Sequence, residues 1–118
     1  MSRLSDYTVA SHLAQTDALR REVFQDLRLR ILRMCPEVTE TPVKILIGYR
    51  VTQNFAEIHF GRSKLKVHLR PIMFDDPKGI VQTLVNPGFV MDRRFYLSEP
   101  TGVPYALTLI EQSYRSTI

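Results

Sequence analysis

The chain has 118 residues, 44% of them hydrophobic and 24% charged, a globular rather than a disordered balance. That length suits a single domain, residues 1–118, which buries roughly 65% of the surface its unfolded form exposes and so builds a core without staples. The single cysteine, Cys35, excludes an internal disulfide and a multi-cysteine zinc site, and the net charge of +4 tilts the chain toward polyanionic partners.

Met1 to Asp6 has no basic segment followed by an apolar run, so no signal peptide is expected. No apolar run approaches the roughly 18 residues that a membrane helix needs. Together with the lone cysteine this points to a cytoplasmic protein. Ser5 or Asp6 is placed to cap a short helix reaching His12 or Leu13. Thr16 is placed to cap a longer one, Asp17 to Met34. Within it Leu19, Val23, Leu27 and Ile31 recur every four residues, and Phe24 and Met34 widen the stripe into an amphipathic face. Pro36 stops the helix, and Glu37 to Pro42 reads as a connector.

Strand patterns follow. Lys44 to Arg50 is rich in branched residues. Asn54 to Phe60 alternates, with Ala56, Ile58 and Phe60 on one face; after a Gly61-Arg62-Ser63 turn, Lys64 to Leu69 sets Leu65, Val67 and Leu69 against Lys64, Lys66 and His68. A hairpin with coincident apolar faces puts Glu57 beside His68 and His59 beside Lys66 on the exposed side. Arg94 to Ser98 is a further strand. Gly102 to Tyr114 is a final helix with Thr101 as its cap, Pro104 in its first turn, and Val103, Leu107, Ile110 and Tyr114 at helical spacing. Helices at both chain ends must bury their stripes on one face of a mainly antiparallel sheet, which makes a two-layer α+β domain. The expected core is Leu27, Ile31, Ile47, Ile58, Val67, Leu69, Leu107 and Ile110.

Chemistry is harder to find. Asp75-Asp76-Pro77-Lys78-Gly79 offers a candidate ligand motif in Asp75, Asp76 and Lys78, but a cap explains it more simply: Asp76 starts a short helix, Pro77 takes its first position, and Ile80, Val81, Leu84 and Val85 follow at helix-compatible spacing. No further acids stand where a magnesium site needs them. His12, His59 and His68 match no metal pattern, and His59 and His68 read as exposed-strand residues. Cys35 sits at a helix C-terminus, where the dipole disfavours a thiolate. There is no phosphate loop, dinucleotide fingerprint or nucleophile elbow, so no cofactor is expected and an enzyme is disfavoured. Lys64, Lys66, His68, Arg70 and Arg50 cluster on or beside the hairpin and are the candidate nucleic-acid contacts. Arg20, Arg21, Arg28, Arg30 and Arg33 are explained by a solvated helix face.

Taken in order, "LRLRILRMCPEV", "KILIGYR", "NFAEIHF", "KLKVHLR", "DDPKGI" and "LTLIEQSYRS" resemble a bacterial family of unknown function often labelled "predicted transport protein". Its members stand alone or form the C-terminal domain of proteins associated with restriction and nuclease functions. The resemblance implies an α+β fold and leaves activity open. The family tends to carry a glycine-rich stretch with His-Trp where this chain has Asn86 to Asp92, and only Gly88 matches. The transport label finds no support in the residues, because a chain without a membrane segment is not itself a channel or carrier. The expectation is a small binding module for a protein partner or nucleic acid. The alternatives are an accessory domain of a restriction- or defence-type enzyme, and a small-ligand sensor with a pocket between helices and sheet.

Overall fold

The computed structural model describes residues 7–118. Three α-helices and a six-stranded antiparallel sheet form an α+β fold: α1 Val9–Ala14, α2 Ala18–Met34, β1 Thr39–Pro42, β2 Ile47–Arg50, β3 Asn54–Phe60, β4 Leu65–Leu69, β5 Gln82–Thr83, β6 Arg93–Leu97 and α3 Val103–Arg115. The strand order is β1-β2-β3-β4-β6-β5. No helix among the described residues is long and apolar enough to cross a membrane.

Ser5 and Asp6 lie outside the described residues. Thr8 caps α1 instead, in a reciprocal box: Thr8 Oγ1 accepts from the Ser11 N–H and Ser11 Oγ accepts from the Thr8 N–H, both at 2.9 Å. The cap of α2 is Asp17 rather than Thr16. Its carboxylate accepts from the Arg20 N–H at 2.8 Å and meets the positive end of the helix dipole. Thr16 turns the other way and donates to the His12 carbonyl at 2.8 Å. In α2, Val23, Phe24, Leu27 and Ile31 are buried, but Leu19 is 46% exposed. A four-residue repeat drifts about 40° per step on a helix of 3.6 residues per turn, so a stripe centred on Leu27 has rotated away by Leu19.

The expected connector contains a strand, β1. Glu40 on it points to the helices, where its carboxylate accepts from Arg28 Nε at 2.8 Å and Nη2 at 2.9 Å and from the Tyr49 hydroxyl at 2.8 Å. The β3–β4 hairpin has the expected register, Glu57 opposite His68 and His59 opposite Lys66. The ladder between β2 and β3 shifts register at Tyr49 and Arg50, which leaves Phe55 as an extra residue in β3. Its carbonyl accepts from the Ser113 hydroxyl at 2.5 Å. Ser113 Oγ in turn accepts from the Arg70 N–H at 3.1 Å, so one fully buried hydroxyl ties α3 to β3 and to the residue that follows β4.

One face of the sheet carries Ile47, Tyr49, Ala56, Ile58, Leu65, Val67, Leu69, Phe95 and Leu97, buried against Val23, Phe24, Leu27 and Ile31 of α2 and Val103, Ala106, Leu109 and Ile110 of α3. Leu107 is only partly buried, because the inner stripe of α3 runs through Ala106, Leu109, Ile110 and Ser113. Thr101 caps nothing; it lies in the 3-10 turn Pro100–Gly102 that leads into α3. A Cβ on Gly102 would meet Leu97 Cδ1 at 2.8 Å, so any side chain at position 102 would require Leu97 to shift.

Asp76 does not start a helix. Gly79 adopts φ +64°, which ends any helical path at once, and the chain turns into β5. Asp76 caps that turn: its backbone carbonyl accepts from the Gly79 N–H at 2.9 Å and its side chain from the Val81 N–H at 2.8 Å.

Two substitutions separate the faces of α2. Leu27→Ala is expected to lower stability by about 2–4 kcal/mol, and Leu19→Ala by less than about 0.5 kcal/mol. Urea midpoints measure both; equal effects would mean that α2 does not pack as described.

Candidate anion-binding cleft

The sheet face away from α2 and α3 carries Glu57, His59, Lys66, His68, Arg94 and Tyr96, by strict alternation with the buried set. The loop between β5 and β6 folds over part of it. His68, expected to be exposed, is only 4% exposed. Its Nδ1 lies 3.0 Å from the Met91 carbonyl, which fixes that nitrogen as the donor. Its ring meets Phe89 edge-on at 5.5 Å and His59 at 4.8 Å. Burial holds the His68 pKa below the ordinary histidine range, with Lys66 and Arg94 adding to the effect and the Met91 carbonyl and Glu57 opposing it. His59 is pushed down to about 4, by burial first and then by His68 and Lys66.

Beside this pair lies a cleft of about 630 Å³, bounded by α1, the start of α2, the β1–β2 turn and the central hairpin. Its chemistry comes from Ser11, His12, Arg20, Lys44, His59 and Lys66, and no Asp or Glu lines it. The His12 ring stacks on Phe60 at 5.5 Å with 19° between planes, and its Nε2 lies 2.6 Å from the Val43 carbonyl. Arg20 pairs with Asp17 at 3.2 Å. Lys44 and Lys66 form no ion pair among the described residues. The Val43 N–H bonds the Leu46 carbonyl at 2.9 Å, and this tight turn, which replaces the first half of the expected Lys44–Arg50 strand, presents Lys44 at the cleft.

The structure divides the candidate nucleic-acid contacts. Lys66 lines the cleft. Lys64 stands at the hairpin turn, its Nζ 5.0 Å above the Tyr96 ring. His68 is too buried to be an exposed contact. Arg70 bonds Ser116 Oγ at 2.9 Å and Gln53 Oε1 at 2.5 Å, at the opposite end of the hairpin, and Arg50 stands at that same end, opposite Asn54. Arg20 and Lys44, absent from the candidate set, come from other elements and converge on Lys66 only through packing.

The Asp75–Lys78 motif is docked on α3. The Asp75 N–H donates to Gln112 Oε1 at 2.8 Å, and Gln112 Nε2 returns a bond to the Asp75 carbonyl at 2.9 Å. The Tyr105 hydroxyl donates to Asp76 Oδ1 and accepts from the Lys78 N–H at 3.0 Å. Burial raises the Asp76 pKa, but the Tyr105 bond and the N–H groups of Val81, Ile80 and Gly79 outweigh it and leave the carboxyl below its ordinary range. No group of three or more His, Cys, Asp and Glu able to hold a metal occurs among the described residues. Cys35 is buried, and burial first of all pushes its thiol pKa up.

Asp76→Ala removes the acceptor of the Tyr105 hydroxyl and the Val81 N–H and is expected to cost about 1–2 kcal/mol. Tyr105→Phe leaves the carboxylate its backbone partners and is expected to cost about 1 kcal/mol. A double-mutant cycle by urea unfolding checks the pair: strictly additive effects would deny the contact.

His59 makes stability depend on pH. Its folded pKa of about 4 lies below the model-compound value of 6.5, so between those values the unfolded chain binds a proton that the folded chain refuses. Stability is therefore complete above about pH 6.5 and falls as pH drops toward 4. Melting temperatures across that window are expected to fall less steeply in His59→Gln than in the wild type; identical slopes would place the titration elsewhere.

An uncharacterized protein of Haemophilus influenzae (strain ATCC 51907 / DSM 11121 / KW20 / Rd) is 24% identical over 119 residues, which cover 98% of this chain and 39% of that protein. The chain thus spans well under half of that relative's length. No solved structure matches it. The model of a family described as a domain of unknown function, DUF5655, matches residues 9–117, nearly the whole of α1 through α3, and the chain belongs to that family.

Proposed function

We propose that the chain is a small, non-enzymatic binding module that holds nucleic acid by its phosphates, in the cleft and along the adjoining open face. The observation that carries this reading is the convergence of Arg20, Lys44 and Lys66 on a cleft lined by no carboxylate. Arg20 is paired with Asp17, but Lys44 and Lys66 join no ion pair among the described residues, and an anion in the cleft would supply their missing counter-charge. Lys64 and the 42%-exposed Tyr96 ring continue the basic surface along the hairpin and offer a stacking face for a base. Phosphate attraction dominates such a site and makes it tolerant of sequence.

A second reading is an accessory domain of a larger nucleic-acid-directed enzyme, for which the relative that extends well beyond the matched region supports only the larger chain. It uses the same cleft. A phosphorylated small ligand also fits by size, since ligand pockets run from about 300 to 1,000 Å³.

Fluorescence anisotropy with labelled single- and double-stranded DNA and RNA across a salt series tests the proposal. Binding is expected to be steeply salt-dependent. Lys44→Ala/Lys66→Ala is expected to lower the slope of log affinity against log salt by up to about two, while Arg50→Ala leaves it unchanged. Absence of wild-type binding at low salt would sink the nucleic-acid reading, and displacement by a mononucleotide at similar affinity would move the assignment to a small ligand.

A further inference from the structure

A second surface lies at the other side of the sheet, at β6. The outer strand β5 pairs only with Arg93 and Arg94. The Leu84 N–H donates to the Asp92 carbonyl at 2.9 Å, so the main-chain groups of Asp92 point toward β5. In an antiparallel ladder those groups alternate sides from one residue to the next. The N–H and C=O of Arg94 and Tyr96 therefore point the same way as those of Asp92, and Tyr96 lies past the end of β5. Within β6 the N–H and C=O of Tyr96 are thus left as an open edge.

That edge borders a groove of about 310 Å³ between β6 and α3, with Ile80, Phe95, Leu97, Tyr105 and Ala106 supplying its apolar surface. Phe95 and Leu97 alternate with Tyr96, so a strand laid along Tyr96 would send every second side chain into the groove. The surroundings are cationic. Lys64 Nζ and the Arg94 guanidinium lie 5.0 and 5.1 Å from the Tyr96 ring centre, and Lys78 Nζ lies 4.7 Å from that of Tyr105. None of the three makes an ion pair among the described residues, and the groove contains one acid, Glu99. The opposite sheet edge, β1, ends in Pro42, whose missing N–H blunts strand addition there.

We propose that the open edge of β6 binds an extended acidic peptide as an added strand, with alternate apolar side chains of the peptide seated between β6 and α3. Main-chain pairing supplies the affinity of such a mode and the groove its selectivity. An apolar groove beside unpaired peptide groups suits a peptide rather than a nucleic acid. The edge shares Lys64 and Tyr96 with the open face beside the cleft, but the proposal does not rest on the reading of the cleft.

The test uses the full chain, ¹⁵N-labelled, titrated to about 1 mM with acetylated Glu-Val-Glu-Val-Glu-Val-Glu. Two controls are the same peptide with Lys in place of Glu, and the acidic peptide N-methylated at alternate residues. Saturable shifts are expected at the amides of Tyr96 and Ser98, about tenfold weaker binding of the Lys peptide, and none of the N-methylated one. Ile80→Glu is expected to weaken the acidic peptide by at least about tenfold; if that variant does not fold, the exposed Lys78→Glu replaces it. No shift at about 1 mM, shifts at β1 instead, or equal binding of the N-methylated peptide would overturn the proposal. Shifts of the same amides with protein concentration alone would overturn it in favour of a second copy of the chain on that edge.

Discussion

Burial of one face of the central strands fixes everything else in this molecule. Ile58, Val67 and Phe95 stand opposite one another across β3, β4 and β6, and all are buried under α2 and α3. Side chains alternate with a period of two, so a slip of one residue between β3 and β4 would drive Glu57, His59, Lys66 or His68 into the core. Moving the charge of Glu57 or Lys66 inside costs far more than the core gains from any alternative packing. The register that hides the apolar residues is thus the register that displays the polar ones, and the open face is specified by the core.

Burial also sets the electrostatics of that face. The two histidines are close enough to disfavour each other's protonation, and the loop carrying Phe89 and Met91 removes water from His68. With both pKa values held down, neither histidine is charged near neutrality. Neither of these two histidines therefore adds to the positive charge that Arg20, Lys44 and Lys66 bring to the cleft, and an anion held by those cations responds to salt.

The hairpin was legible in the sequence because alternation over β3 and β4 is strict and the turn at Gly61 is short. α2 was legible in its centre, where Leu27 and Ile31 hold the stripe, and illegible at Leu19, where a repeat of four and a turn of 3.6 part company. β1 was not legible: its inward residue is Glu40, an acid that faces the helices only because Arg28 and Tyr49 meet it there. Asp76-Pro77 announces a cap but not what is capped, since a helix and a turn both need one; Gly79 decides the matter through a backbone angle that the apolar spacing of Ile80, Val81 and Leu84 conceals. Of the cleft's cations only Lys66 was legible. Arg20, Lys44 and Lys66 stand far apart in the chain and meet only after α1 and α2 have packed beside the hairpin.

The division of labour between the two kinds of cation explains where the net charge goes. Each of the five ion pairs among the described residues joins an arginine to an acid: Arg20 to Asp17, Arg28 to Glu40, Arg30 to Asp26, Arg93 to Asp92 and Arg115 to Glu111. Arginine suits that work, because its planar fork meets a carboxylate at two points and holds its geometry, as Arg28 does on Glu40. The four lysines, Lys44, Lys64, Lys66 and Lys78, join none of these pairs. Two line the cleft and two lie over tyrosine rings beside it or at the β6 edge. A lysine is a hydrated point charge on a flexible stem, poor at fixing a fold and good at meeting a mobile anion. Arg21, Arg33, Arg50, Arg62, Arg70 and Arg94 also join none of these pairs, so the net charge of +4 is not the lysines' alone, but it is the lysines that stand where the fold leaves an unfilled cleft and an unpaired strand edge.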